Sequence, residues 1–313
     1  MSTLALCIPA RNAEAYLPRL FASVARQTRP FDEVLVYDDA SSDGTGAIAR
    51  AHGATVVRSN ENTGPSTGKN LLAARANSDW LHFHDADDAL FPDFVEHARE
   101  WLTRDADVVC FAVEDRDHDT DAVLVRRAWD DAALARDAAR YAILNTITNC
   151  GIYRRSTFLS CGGFDVRPET KYNEDQAMHV RLALSGLRFR ADSRPGGVLY
   201  QRRNSMSSGN RIECARAHFH VLATVAERTG RQYADALGLE LWKLAGVCGT
   251  YRDWDYVRRA LQLAEQLGYA PAEAENPVFR ALARIHPFGA VLAREQFVRW
   301  FKPALRDGVP TAS

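Results

Sequence analysis

The chain has 313 residues and a mass of 34.9 kDa, enough for one large domain or a domain with an appendage. Hydrophobic residues at 46% and charged residues at 25% match a globular protein, and they exclude a disordered chain, a collagen-like repeat and a disulfide-dense miniprotein. A net charge of -1 gives no electrostatic reason to expect nucleic acid as a partner.

The first 110 or so residues alternate short β-rich runs with helical patterns. Leu4 to Ile8 is an unbroken apolar run, as expected of a parallel strand covered on both faces. Leu17, Leu20, Phe21 and Val24 follow at helical spacing. Val34 to Tyr37 is the second predicted strand and stops at Asp38-Asp39; Asp43 is a suitable cap for the next helix. Thr55 to Val57 is the third strand. A loop over 60–68 and a helix from Lys69 to Arg75 come next. Trp80 to Phe83 is the fourth strand, ending at His84-Asp85-Ala86-Asp87-Asp88. A helix starting near Pro92-Asp93 leads to a fifth strand, Val108 to Val113. This rhythm predicts an α/β fold, a mostly parallel sheet flanked by helices, and open sheets of that kind bind ligands at the carboxyl ends of their strands.

Residues 114–140 are rich in Asp and Arg and read as an exposed connection with a helix. Asp115, Asp117, Asp119 and Asp121 alternate like calcium-loop ligands, but the central Gly and terminal Glu of an EF-hand are missing, so the segment reads as solvated surface. Ile147 to Tyr153 is a strand, and Ser156 to Cys161 a short helix closed by Gly162-Gly163. Asn173 caps a helix that Gly186 stops, which places Glu174 and Asp175 in its first turn. Beyond about residue 210 strand signals vanish and helical stripes such as Leu237, Leu241, Leu244 and Ala245 dominate. The expected division is 1–210, an α/β domain, and 211–313, a helical C-terminal extension.

The six cysteines show no C-x-x-C spacing and read as reduced thiols, which suits a cytoplasmic protein. The N-terminus has neither a basic region nor a long apolar run, which predicts no signal peptide, and no window of 18 apolar residues predicts a transmembrane helix. Only four of the 39 Lys and Arg residues are lysines, and one of them, Lys69, lies in a Gly-rich segment.

Five positions are expected to carry the chemistry: Asp39, Lys69, Asp85, Asp87 and Asp175. Asp85-Ala86-Asp87 is a D-x-D at a strand end, where two carboxylates can meet one divalent cation. Hard oxygen ligands suit Mg2+ or Mn2+, which also bridge substrate phosphates. Asp39 can accept a hydrogen bond from a base or ribose; the plainer alternative is helix capping beside Ser41 and Ser42. Gly64-Pro65-Ser66-Thr67-Gly68-Lys69-Asn70 is not a Walker A loop. Lys69 suits a diphosphate or a base edge, and its alternative is a solvated charge at a helix start. Asp175 is the expected general base, able to take a proton from an attacking sugar hydroxyl. The alternative is that Glu174 and Asp175 only complement the helix N-terminus.

Taken together, I-P-A-R-N (8–12), Y-D-D-A-S-S-D-G-T (37–45), G-P-S-T-G-K-N (64–70), H-D-A-D-D (84–88), G-G-F-D (162–165) and N-E-D-Q (173–176) resemble the family 2 inverting glycosyltransferases of the GT-A fold. Order and spacing agree over about residues 1–208. The resemblance implies that the loop Pro9, Ala10, Arg11, Asn12 and Asp39 hold the nucleotide of a nucleotide-sugar donor, with Asp39 facing the base. Lys69 stands where the family often has Arg. Asp85 approaches the ribose or the metal, and Asp87 binds the Mn2+ or Mg2+ on the donor diphosphate. Gly162 to Asp165 line the acceptor side, and Asp175 is the base. Arg202, Arg203 and Ser205 lie where a mobile loop closes on the diphosphate. The implied reaction is a single displacement with inversion. UDP is favoured as the nucleotide, and a hydroxyl of a glycan or lipid-linked acceptor is the target, in bacterial surface polysaccharide synthesis. A sugar nucleotidyltransferase and a non-catalytic sugar-nucleotide-binding or assembly protein are the alternatives; an oligomer is compatible with the glycosyltransferase reading.

One further pattern lies outside the resemblance. Pro277 to Leu305 interleaves Val278, Phe279, Leu282, Ile285, Phe288, Val291, Leu292, Phe297, Trp300 and Phe301 with Arg280, Arg284, Arg294, Arg299, Lys302 and Arg306, and Pro287 and Pro303 divide the stretch. Such a basic amphipathic pattern can lie on an anionic membrane surface, which places the protein in the cytoplasm with a peripheral contact at the inner membrane face. The alternative is that these apolar residues pack against the rest of the protein or a second subunit.

Overall fold

A computed structural model describes residues 2–202, 209–269, 277–306 and 309, with the side chains of 277 and 278 excepted. The chain forms two compact units. One comprises the described residues of Met1–Ala142, Thr146–Val166 and Glu174–Ser205; the other comprises those of Ile143–Asn145, Arg167–Asn173 and Met206–Ser313. Two short inner segments thus group with the C-terminal helices, and no single cut separates the units.

The first unit is built on one sheet in the order β3-β2-β1-β4-β8-β6-β9-β5, with β7 paired to β6. Strands β1 (Leu4–Ala10), β2 (Glu33–Asp39), β3 (Thr55–Ser59) and β4 (Trp80–Phe83) are parallel neighbours. Every residue of β1 and β4 is buried, as continuous apolar runs demand when both sheet faces are covered. The crossovers are α1 (Leu17–Ala25), α2 (Thr45–Ala51) and α3 (Pro65–Arg75). Leu17, Leu20 and Phe21 of α1 are fully buried, each contributing about 1.5–3 kcal/mol by leaving water.

Parallel order is confined largely to these four strands. Strand β8 (Gly151–Arg154) runs antiparallel to both β4 and β6 (Val108–Asp117), and β5 (Ala89–Leu90) runs antiparallel to β9 (Phe189–Gln201). Among the described residues only β6 and β9 add another parallel pair. The half of the sheet beyond β4 is therefore mixed. After β4 the chain passes through α4 (Phe94–Trp101), the hairpin β6–β7 (Val123–Arg127), α5 (Asp131–Arg136) and α6 (Ala138–Leu144) before β8. No single crossover helix dictates a parallel return.

Three local differences from the sequence reading have physical causes. Helix α3 begins at Pro65, four residues before Lys69, because Gly64 takes φ +86° and Pro65 supplies a first turn with fixed φ. The 114–140 stretch contains β7, and the alternating aspartates belong to its hairpin. Asp117 accepts from the backbone of Asp119 and Thr120, and Asp115 pairs with Arg127. Strand β9 was masked in the sequence by Arg, Pro and Gly. Gly196 is required there, since a Cβ would come within 2.9 Å of Phe94 and Phe111.

Helix α7 (Arg155–Ser160) is followed by a two-turn 3-10 segment at Pro168–Asn173 and then α8 (Glu174–Leu184). The second unit carries α9 (Arg211–Thr229), α10 (Ala234–Thr250), α11 (Trp254–Gln266), α12 (Pro277–Ile285) and α13 (Pro287–Phe301). Its core is Leu237, Leu241 and Leu244 of α10 against Val257, Ala260 and Ala264 of α11, with Phe219 and Leu222 of α9. Pro287 and Pro303 end helical segments as expected, and His286 caps α13 by accepting from Gly289 N. None of the six cysteines is in a disulfide; Cys7, Cys110, Cys150 and Cys248 are buried.

Candidate active site

The polar ends of β1, β2 and β4 lie side by side, because those strands are neighbours running in one direction. At the end of β1, Pro9 and Ala10 sit in register with Tyr37 and Asp38 of β2. Asn12 takes φ +48°, and its Oδ1 accepts from Ser42 N at 2.9 Å while its own N–H donates to Ser41 Oγ. The I-P-A-R-N loop is thereby pinned to the turn after β2.

Asp39 is buried and fully engaged. Oδ1 accepts from Thr63 N at 2.7 Å, and Oδ2 accepts from Gly64 N at 2.9 Å. It ties the end of β2 to the start of α3 and does not cap a helix with Ser41 and Ser42. Asp38 does the local turn work, accepting from Ser41 N and pairing with Arg58.

Lys69 is not a solvated helix-start charge. It is fully buried, and Nζ lies 3.0 Å from Glu174 Oε1, 3.4 Å from Asp85 Oδ1 and 4.0 Å from Asp175 Oδ1, over the ring of Phe164. Burial alone would lower its pKa, but Asp85, Glu174 and Asp175 outweigh that and hold it raised. The rest of the Gly-rich segment is fitted around this ammonium. Ser66 Oγ donates to Glu174 Oε2 at 2.7 Å. Gly68 lies against Tyr37, where a Cβ would come within 2.4 Å of the ring. Asn70 donates to Phe164 O and accepts from Phe164 N, clasping the G-G-F-D loop.

One ammonium thus faces three carboxylates, and Asp175 is the farthest of them. Burial raises its pKa to about 7; Glu174 and Asp85 push the same way, while Lys69 and the backbone of Asn149 hold it down. Its side chain is 31% exposed, whereas Oδ1 is shut from solvent without a hydrogen-bond partner. Below it runs a network absent from the sequence reading. His179 Nδ1 meets the carbonyl of Asp175 at 2.8 Å, and His179 Nε2 meets Tyr153 Oη at 2.9 Å. Burial lowers the His179 pKa to about 4, so the ring is neutral. A carbonyl only accepts, so Nδ1 carries the hydrogen and Nε2 accepts from Tyr153. The one signal in the sequence was the i, i+4 spacing of Asp175 and His179.

The D-x-D turn has two distinct carboxylates. Asp85 is half exposed beside Lys69. Asp87 is less open and is ion-paired with Arg202, whose guanidinium lies 4.4 Å from the Tyr16 ring centroid. Burial and the charge of Asp85 raise the Asp87 pKa against the pull of Arg202. Arg19, also absent from the sequence reading, donates to the Asp87 carbonyl at 2.6 Å and stacks on Tyr200. Asp88 is buried, accepts from Tyr200 N, and has a pKa raised well above normal, first by burial and then by Asp87 and Asp85. Arg203 and Ser205 lie outside the described residues.

These residues fit a divalent cation in a limited sense. Among the described residues no group of three or more His, Cys, Asp or Glu side chains forms a ready metal cage. At the turn, burial first and neighbouring carboxylates second raise the pKa values of Asp87 and Asp88. That donor set suits an ion arriving with phosphate oxygens of its own, as Mg2+ typically does.

Comparisons with known proteins agree with the geometry. The sequence profile of glycosyl transferase family 2 matches residues 5–161. The succinoglycan biosynthesis protein ExoU of Rhizobium meliloti is 25% identical over 223 residues, covering 66% of this chain and 64% of ExoU. The matches span between 25% and 64% of the length of the first curated relatives. Among solved structures, the S. aureus TarS fragment 1-349 in complex with UDP-GlcNAc aligns with a TM-score of 0.66 at 17% identity, over 95% of this chain and 92% of that one. The mannosyltransferase PcManGT from Pyrobaculum calidifontis, in complex with GDP-Man and Mn2+, aligns at 0.58 and 21% identity, over 94% and 84%. The structural likenesses establish the GT-A fold, and the profile covers half of the sequence, including the loop after β1, the D-x-D turn and the lysine segment. The chain belongs to glycosyl transferase family 2.

Proposed function

We propose that this protein is an inverting, metal-dependent glycosyltransferase that moves a sugar from a nucleotide-diphosphate donor, UDP-linked by preference, to a hydroxyl of a glycan or lipid-linked acceptor. Its place is the synthesis of a bacterial surface polysaccharide in the cytoplasm, at the inner membrane face. The observation that carries the reading is Asp175, a carboxylate with a pKa of about 7 on the same strand-end face as the D-x-D turn. A base poised near neutrality is half deprotonated at working pH and still basic enough to accept a proton in the transition state. ExoU, named for succinoglycan biosynthesis, supports the pathway class. The UDP-GlcNAc complex of TarS and the GDP-Man and Mn2+ complex of PcManGT support the donor class and the metal.

In this reading Pro9, Ala10, Asn12 and Asp39 shape the nucleotide pocket, with Asp39 acting chiefly by fixing the Thr63–Gly64 backbone. Lys69 has a positioning role: its ammonium orders Asp85, Glu174 and Asp175. Asp85 and Asp87 would hold Mg2+ or Mn2+, which would supply charge stabilisation to the departing diphosphate. Arg202 and Arg203 would reach the same phosphates. Asp175 removes the proton of the acceptor hydroxyl as that oxygen attacks the anomeric carbon from the face opposite the nucleotide. His179 keeps the peptide carbonyl of Asp175, and with it the first turn of α8, in place during transfer.

The test is a screen of nucleotide sugars by thermal shift with and without Mn2+, followed by product analysis on the best donor. A donor-dependent shift and a product of inverted anomeric configuration are expected. Retained configuration overturns the reading, as does formation of a nucleoside triphosphate and a sugar 1-phosphate when pyrophosphate is supplied in place of an acceptor.

A further inference from the structure

The structure splits the apolar residues of the last two helices into two sets. Ala283, Ala290 and Val291 are buried, and Phe288 meets Trp254 of α11 edge-on at 5.9 Å, so one face of α13 is covered. The other stripe is open to solvent. On α13, Phe297, Trp300 and Phe301 follow at i, i+3 and i+4, and Leu305 stands in the short 3-10 segment Pro303–Arg306 just beyond it; the four are 53%, 75%, 68% and 60% exposed. Leu282 and Ile285 of α12 are also exposed, Ile285 at 83%. The rings of Phe297 and Phe301 lie 4.7 Å apart, a continuous aromatic surface. Six large apolar side chains in a stretch of 24 residues are more than isolated surface hydrophobes.

Charge decides what covers them. Residues 277–306 hold six cations and one anion in a chain whose net charge is -1. That anion, Glu295, is buried and already paired with Arg299 and Arg306. Arg284, Arg294 and Lys302 are exposed and make no ion pair among the described residues. A second copy docking by this same face would set cations against cations. A polynucleotide could stack on Phe297, Trp300 and Phe301, but it would gain nothing from Leu282, Ile285 and Leu305. An anionic bilayer satisfies both components: hydrocarbon for the apolar stripe, phosphates for the cations, and an interfacial level at which Trp is favoured. No helix among the described residues is long and apolar enough to cross a membrane, so the contact is one of lying on the surface.

We propose that α12 and α13 form a peripheral binding surface for anionic lipid. Phe297, Trp300, Phe301 and Leu305 enter the acyl boundary, and Arg284, Arg294 and Lys302 face lipid phosphates. The inference deepens the membrane-face part of the proposed function, but its residues are distinct from those of the transfer site. The experiment is sedimentation of the full chain with vesicles of phosphatidylglycerol and phosphatidylcholine, and with phosphatidylcholine alone, at low and raised salt. Binding to the anionic vesicles, weakened by salt and at least tenfold weaker to neutral ones, is expected. Trp300→Glu combined with Phe301→Glu is expected to reduce binding at least tenfold while leaving the thermal shift with a nucleotide sugar intact. Arg284→Glu combined with Lys302→Glu is expected to weaken it in the same sense. Protein remaining in the supernatant with anionic vesicles at low salt overturns the proposal. So does unaltered binding by the Trp300 and Phe301 variant. A dimer by light scattering that this variant abolishes, without vesicle binding by the parent, assigns the face to contact between copies. Loss of the nucleotide response in the parent would count against the transfer reading and leave vesicle binding untouched.

Discussion

As the proposed general base, Asp175 would couple activity and stability in opposite directions. Its folded pKa, about 7, stands above the ordinary 3.8. Between those values the folded protein holds a proton that the unfolded chain releases, so stability falls as pH rises through that window, and the penalty is complete above pH 7. Asp175→Asn removes the ionising group. The variant is expected to be more stable than the parent by about 1–3 kcal/mol at pH 8, after allowance for partial exposure, with no gain at pH 4. Urea titrations at the two pH values check this, and an equal difference at both would contradict it. The same variant should keep donor binding but lose about 100- to 10,000-fold in transfer rate. For the parent, kcat/KM should fall on the acid side with an apparent pKa near 7. Lys69 pulls that value down, so Lys69→Met should move the acid limb upward. It should also cost about 3–5 kcal/mol, because three carboxylates lose their one close cation. Asp87→Ala acts differently. A strand-end loop carboxylate is not core, so the fold should survive while the Mn2+-dependent part of the donor thermal shift disappears.

At the level of elements, the clearest demand is made by the loop that follows α7. Gly163 takes φ +62°, and a Cβ there would come within 2.2 Å of Asn70 Oδ1, the atom that accepts from Phe164 N. Gly163→Ala is therefore expected to lose about 1–3 kcal/mol through strain and the broken clasp, and Asn70→Ala a similar amount through two lost backbone hydrogen bonds. Calorimetry of both, and of the double variant, checks whether they act on one clasp: the double should cost less than the sum. Elements whose pattern obeyed a single period were legible. The buried run of β1, the stripe of α1 and the first turn of α8 all stand where the sequence places them. What was hidden involved competition between local and distant demands. Strand β9 carries Arg190, Asp192, Arg194 and Pro195, which oppose a strand locally, yet ten of its residues pair with β6. Gly64 and Pro65 carry loop propensity in the sequence, yet together they form the N-terminus of α3, four residues before the start the pattern predicts at Lys69. In the site, the residue types were readable and their partners were not: Lys69 was expected at the nucleotide, but it lies beneath the surface among carboxylates contributed from residues 85 and 174–175, a convergence that only the tertiary fold produces.

For the molecule as a whole, scarcity of lysine has a practical result. Lys171, Lys243 and Lys302 are exposed, and Lys69 alone is buried, its ammonium kept protonated by its three neighbours. Amine-directed reagents need a neutral, reachable amine, so a native sample should acylate at three of its four lysines and stay unmodified at Lys69. Peptide mass spectrometry over a time course would then read the slow appearance of label on Lys69 as a clock for the opening of the carboxylate cluster, independent of any donor, acceptor or turnover. A donor that closes the site should slow that clock, and Gly163→Ala should speed it. Label accumulating on Lys69 as fast as on Lys243 would mean that the cluster opens freely in solution. The cluster of one ammonium and three carboxylates would thus also act as a built-in reporter of its own breathing.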